Sequence, residues 1–105
     1  MDSELITTLQ NYGFSDKEAK IYLTCLELGS SLASTIARRA EINRGTTYSI
    51  LEDLKRRGIA SENMRDELKY FSVLNPELLF KREEEKYVKM KESLPDLLAI
   101  TQKFG

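Results

Sequence analysis

Hydrophobic spacing changes period at Gly58 and changes back at Asn75, and this double switch narrows the possible folds more than any other feature of the chain. Up to Gly58 the apolar residues recur every three or four positions, the spacing of one buried helix face. Ile59-Ala60-Ser61-Glu62 and Leu68-Lys69-Tyr70-Phe71-Ser72-Val73 then read as strands joined by the polar turn Asn63-Met64-Arg65-Asp66-Glu67, and helical spacing resumes at Asn75-Pro76-Glu77. One hairpin between helical segments implies a mainly α fold with a small β-hairpin.

The helices before the switch carry their own start and stop signals. Leu5, Ile6 and Leu9 mark a helix over residues 3–11, ended by Gly13. Ser15-Asp16-Lys17-Glu18 is a capping box for a helix from Asp16 to Leu28, with Ala19, Tyr22, Leu23, Cys25 and Leu26 inward and Gly29 as its stop. Ser30 and Ser31 open a third helix, Ala33 to Ala40, with Leu32, Ile36 and Ala37 inward. Only Glu41-Ile42-Asn43 separates it from the next, which Asn43 caps and Gly58 ends, with Tyr48, Leu51 and Leu54 turned to the core. Two helices joined by so short a turn and followed by a hairpin form a winged helix-turn-helix, predicted over residues 1–75.

In such a fold the second helix of the pair offers its N-terminal tip and outer side to a DNA groove. At 100° per residue these carry Arg44, Thr46, Thr47, Ser49 and Ile50, with Gly45 beside Arg44 at the tip. Arginine can bond guanine bidentately, threonine and serine hydroxyls can donate or accept, and glycine admits close backbone approach. Ser34 and Arg38 on the preceding helix, and Arg65 and Lys69 on the hairpin, complete the candidate DNA contacts. Taken singly, each is also accounted for by a solvated surface, and Lys55-Arg56-Arg57 complements the helix dipole with or without DNA. Net charge is −1, but residues 33–58 hold six basic side chains against three acidic, so positive charge gathers around the candidate edge. Asp66 and Glu67 beside Arg65 would repel DNA, which makes the wing the weakest part of the reading.

Residues 14–77 resemble the TrmB-like family of winged-helix transcription regulators, found mainly in archaea. The resemblance is carried by Phe14-Ser15-Asp16-Lys17-Glu18-Ala19-Lys20-Ile21-Tyr22-Leu23, by the run from Ala33 to Ala40, by Asn43-Arg44-Gly45-Thr46-Thr47-Tyr48 continuing to Gly58, and by Lys69-Tyr70-Phe71-Ser72-Val73 with Asn75-Pro76-Glu77. It implies base-facing positions for Arg44, Gly45, Thr46 and Ser49 and a core position for Tyr48. Family members often have Thr or Ser at the cap where this chain has Leu32, although Ser31 can substitute. Larger members continue into a sugar-binding domain; residue 105 ends this chain first, so a short form without that route to effector sensing is expected.

From Pro76 to about Phe104 the chain is predicted helical, roughly 43 Å if continuous at 1.5 Å per residue. A heptad trace places Phe80, Tyr87, Leu94 and Thr101 at one seam position and Glu83, Met90, Leu97 and Phe104 at the other, with Pro95 expected to kink or restart the helix. Residues 76–105 are therefore read as a dimerisation segment using Phe80, Tyr87, Met90, Leu94, Leu97 and Phe104. Two-fold symmetry would present two recognition helices to a palindromic site. Folding back of this helix onto its own domain is the alternative.

One cysteine, no histidine and no glycine-rich phosphate loop leave no triad, zinc site or hydrolase constellation, so no enzyme, metal or cofactor is expected. Cys25 shares a helix face with Tyr22 and Leu26, which favours a buried structural thiol over a redox sensor. The acidic start Met1-Asp2-Ser3-Glu4 lacks the basic, then apolar, pattern of a signal peptide, and a soluble cytoplasmic protein is expected. The resulting expectation is a homodimeric, sequence-specific regulator on double-stranded DNA. A winged-helix protein–protein module without DNA contact is the competing reading, motivated by the net charge and the acidic wing.

Overall fold

The computed structural model describes the backbone of residues 2–104 and the side chains of residues 2–101. Five helices and three strands follow in the order α1 (Ser3–Asn11), α2 (Asp16–Leu28), β1 (Ser31–Leu32), α3 (Ala33–Ala40), α4 (Arg44–Arg56), β2 (Ala60–Arg65), β3 (Leu68–Val73) and α5 (Pro76–Phe104). Residues 1–74 form one unit and residues 75–105 another. The first is a winged helix.

Among the described helices, every start but that of α3 is fixed by a local side-chain cap. Asp2 accepts from the Glu4 and Leu5 amides at α1. At α2 the capping box is complete, with Ser15 Oγ accepting from the Glu18 amide at 3.0 Å and the Glu18 carboxylate from the Ser15 amide at 2.7 Å. Asn43 Oδ1 takes the Thr46 amide at 2.7 Å to start α4, and Asn75 Oδ1 takes the Leu78 amide at 2.9 Å to start α5. The cap before α3 is Leu32, which has no side-chain acceptor. Ser31 does not substitute for it: no side chain accepts an amide at this start, and the Ser31 hydroxyl donates to the Gly29 carbonyl at 3.1 Å.

The core lies where α2, α3 and α4 meet one face of the sheet. Ile21, Tyr22, Cys25, Ile36, Leu51, Leu54 and Phe71 are sealed from solvent there, Phe71 coming from the central strand. Non-directional burial of this apolar area is the main force holding the helices to the sheet. The buried Tyr22 hydroxyl donates to the Leu74 carbonyl at 2.8 Å, tying α2 to the chain just past β3. Burial pushes this phenol up to about pKa 12 and the Cys25 thiol likewise to about 12.

The sheet departs from the sequence reading in two ways. Ser31 and Leu32 do not open α3; they pair with Phe71 and Tyr70, so β3 sits between β1 and β2 in an antiparallel sheet. A two-residue strand carries no periodicity and becomes visible only through its partner. The hairpin turn is also shorter than predicted. Pairing runs to Arg65 opposite Leu68, and only Asp66 and Glu67 lie between them, both at positive φ (50° and 63°). This is the backbone of a type I′ turn, whose twist matches the strands, formed here without the usual Asn-Gly.

Three further expectations are corrected by packing. α4 ends with Arg57 as its cap rather than Gly58, and Gly58 at φ 74° makes the turn into β2. Leu26 is exposed, because the buried stripe of α2 runs through Ile21 and Thr24 as well as Tyr22 and Cys25. α5 does not restart at Pro95 but continues through it. The bond Pro95 cannot make to the residue 91 carbonyl is lost at an exposed position, where water can replace it. No described helix is long and apolar enough to cross a membrane.

A candidate nucleic-acid interface

The tip of α4 is set by Asn43, whose cap fixes the direction in which the helix leaves the turn. Glu41 makes that turn possible at φ 58°, ψ 41°, closing α3 with its amide bonded back toward Ala37 and Arg38. Arg44, Gly45 and Ser49 are exposed and Thr46 and Ile50 are half-buried, so five of the six predicted residues of this edge reach the surface. Thr47 does not. It is fully buried, with its hydroxyl 3.4 Å from the Ile42 carbonyl, and it locks the helix to the preceding turn instead of facing outward.

Tyr48 reverses the other way. Read as a core residue, it is 43% exposed, with one ring edge set at 87° against Phe71 and the rest of the side chain on the outer surface of α4. Gly45, Tyr48 and Ser49 thus form the outward stripe at i, i+3 and i+4, with Glu52 at i+7 half-buried, whereas the buried stripe is Thr47, Leu51 and Leu54. The available signal was one of phase: a stripe through 47, 51 and 54 fits helical spacing as well as one through 48, 51 and 54.

Gly45 has no internal reason to be glycine. A Cβ placed there would meet Asn43 Oδ1 at 3.6 Å, an ordinary contact, and its φ is not positive.

The hairpin divides its two basic residues. Glu62, Lys69 and Phe71 share the face turned to α4, where Lys69 Nζ donates to the Tyr48 hydroxyl at 2.9 Å and lies 3.1 Å from Glu62. The other Glu62 oxygen takes Lys55 Nζ at 2.6 Å, and Lys55 also approaches Glu52 at 3.4 Å. This chain of partners clamps the wing to α4. Hydrogen bonds from Lys55 first and Lys69 second hold the Glu62 carboxyl below its ordinary range. The Tyr48 hydroxyl and then Glu62 raise Lys69, and Glu62 raises Lys55. Arg65 lies on the opposite face with its guanidinium 4.4 Å from the centre of the Tyr70 ring, on the exposed side of the sheet.

Ion pairing sorts the six basic residues of the 33–58 stretch. Arg39 bonds Glu27, Arg56 pairs with Asp53 at 3.1 Å, Arg57 with Glu18 at 2.9 Å, and Lys55 is held as described. Arg38 and Arg44 have no carboxylate partner among the described residues. They flank the turn between α3 and α4, where the exposed and, among the described residues, unpaired Glu41 offsets part of their charge, so an excess of one positive charge sits at the tip of the helix pair. Ser34, in the first turn of α3, is half-buried beside the uncapped amides of that helix. No group of three or more metal-ligating side chains occurs among the described residues.

The family description "Sugar-specific transcriptional regulator TrmB" matches residues 9–77, about two thirds of the chain. The chain belongs to the TrmB family. The HTH-type sugar sensing transcriptional regulator TrmBL1 of Pyrococcus furiosus is 27% identical over 82 residues, covering 78% of this chain and 24% of the relative, so this TrmB-family chain spans about a quarter of the curated relative's length. Among solved structures, the archaeal chromatin protein TrmBL2 superposes with a TM-score of 0.62 at 22% identity, over 91% of this chain and 41% of that one. A MarR family transcriptional regulator from Silicibacter pomeroyi also gives a TM-score of 0.62, at 14% identity over 87% and 63% of the two chains. These structural likenesses establish the fold.

In this TrmB-family chain the second unit is a single helix. Phe80, Tyr87, Met90, Leu94 and Leu97 are all exposed along it, and the side chain of Phe104, the sixth predicted seam residue, lies outside the described residues.

Proposed function

We propose that this chain is a sequence-specific transcription regulator that binds duplex DNA as a homodimer on a palindromic site, with the tip of α4 in the major groove. The observation that carries the reading is the pair Arg38 and Arg44: among six basic residues around the helix pair, these two are left without carboxylate partners, and they flank the tip. Arg44 is placed to bond a guanine edge, while Thr46 and Ser49 offer hydroxyls and Gly45 lets the α4 backbone come close. Arg38 and Ser34 meet phosphates, Ser34 together with the uncapped amides of α3. Arg65 reaches the sugar–phosphate backbone from the wing, and Lys69 acts mainly by holding the wing to α4. The exposed apolar seam of α5 supplies the second copy. That TrmBL2 is described as showing a mode of DNA binding, and that the matched relatives are transcription regulators, supports the reading.

A second reading, a protein–protein module, is favoured by the acidic turn Asp66-Glu67 and by the neutralisation of Lys55 and Lys69 at Glu62. Titration of labelled random-sequence duplex at low salt separates the two. Binding in the micromolar range that weakens steeply with added salt is expected for the DNA reading. No binding at micromolar protein ends it in favour of the module.

A further inference from the structure

The charge pattern flanking the exposed seam of α5 specifies the direction in which two copies pair. With Phe80, Tyr87 and Leu94 at one seam position and Glu83, Met90 and Leu97 at the other, the positions bordering the seam are Glu84, Lys91 and Leu98 on one side and Leu79, Lys86, Ser93 and Ile100 on the other, so the charges there are Glu84, Lys86 and Lys91. Glu84 and Lys91 are exposed and have no ion-pair partner among the described residues. In a parallel, in-register pair, Lys86 of one helix borders Lys91 of its copy on both sides, and Glu83 faces its own copy across the seam. Both contacts are repulsive.

Antiparallel pairing changes these contacts, and its register matters. When Tyr87 packs against Met90 of the other copy, Phe80 meets Leu97 and Glu84 lies beside Lys91, twice by symmetry. A slide of one heptad toward the C-terminus brings Lys91 against Lys91, and a slide the other way brings Glu84 against Glu84. Of the three antiparallel registers, only the first sets opposite charges together.

We infer that α5 docks antiparallel on α5 of a second copy, in the register that pairs Tyr87 with Met90 and Glu84 with Lys91; this rests on the homodimer reading above. The two Asn75 positions then lie about 40 Å apart along the helix pair, against side by side in a parallel pair.

Charge reversal tests it in the full-length chain by sedimentation equilibrium. Lys91→Glu sets a second carboxylate against Glu84 in the inferred register, so the dimer dissociation constant should rise roughly three- to tenfold at low salt. Glu84→Lys alone should weaken the dimer similarly, and the double reversal should restore the wild-type constant. Tightening by Lys91→Glu overturns the proposal in favour of a parallel pair, where the introduced carboxylate meets Lys86. An unchanged constant overturns it in favour of the slid register, where the substitution only replaces one like-charge contact by another. A wild-type chain that stays monomeric at high micromolar concentration overturns the homodimer reading itself.

Discussion

Arg44 and Gly45 are neighbours at the tip of α4, and substituting each should separate binding from folding in its own way. Arg44 is exposed and makes no ion pair among the described residues, so Arg44→Ala should leave the melting temperature unchanged. It should weaken binding to the cognate site by about 1–3 kcal/mol, more than to random duplex. Equal loss on both sequences would place Arg44 on a phosphate instead of a base. Gly45→Ala meets only the ordinary 3.6 Å contact and gains up to about 1 kcal/mol of helix propensity. The variant should melt at or above the wild-type temperature yet bind DNA more weakly, because the new methyl group stands where the partner's backbone approaches. A destabilised Gly45→Ala protein would mean that the glycine serves the fold. Cys25 is buried and its thiol is raised to about pKa 12, so it carries almost no thiolate at neutral pH. Ellman's reagent should react with it only after denaturant is added; rapid reaction of the native protein would revive a redox role.

The hairpin and α4 act together through Glu62. Its carboxylate is shared by Lys55 and Lys69, and Lys69 reaches on to the Tyr48 hydroxyl, so one acidic side chain joins the wing to the recognition helix. The sign of its pH dependence follows from its lowered titration. The contribution is present above the ordinary carboxylate value of 4.5 and is lost as pH falls through the lower value of the folded state. The raised lysines keep their part of the contribution throughout the neutral range, since it is lost only as pH rises past their folded values. Glu62→Gln should therefore melt below wild type at pH 7, with the gap closing progressively below about pH 4 as the wild-type carboxyl is protonated. A gap independent of pH down to about pH 2 would show that the ion pairs do not stabilise the wing. The same pairing explains why Lys55 is a poorer candidate phosphate contact than Arg38, although sequence proximity treats them alike.

For the whole molecule, the division at residue 74 separates a packed core from a helix whose apolar residues, apart from the buried Leu79, are mostly exposed. A chain truncated after Asn75 retains every core residue contributed by α2, α3, α4 and the sheet, including the Tyr22–Leu74 bond. It should fold cooperatively and sediment as a monomer, with DNA affinity below that of the full chain because two linked half-sites bind more tightly than one. A truncated chain that still sediments as a dimer would move the interface from α5 to the winged unit.

Much of this architecture is written in short-range pattern. Caps and periodicity located α1, α2, α4 and α5, and periodicity alone α3 and β3, because a capping side chain and a helical stripe act within a few residues of each other: Ser15 with Glu18, Asn43 with Thr46, Asn75 with Leu78. The family resemblance over the helix pair and hairpin was legible for the same reason. Three features depended on contacts between distant segments. Ser31-Leu32 is a strand only because Phe71 and Tyr70 lie beside it. The rotation of α4 follows from the space between Phe71 and the turn at Ile42, which takes the small Thr47 inward and leaves the Tyr48 ring at the rim. Local spacing cannot distinguish two stripes one residue apart, since both satisfy the helical period and only the volume of the facing core separates them. The charge available to a partner likewise depended on folding: six basic side chains crowd one stretch of sequence, but carboxylates from α2, α4 and β2 close over four of them and leave Arg38 and Arg44 at the tip.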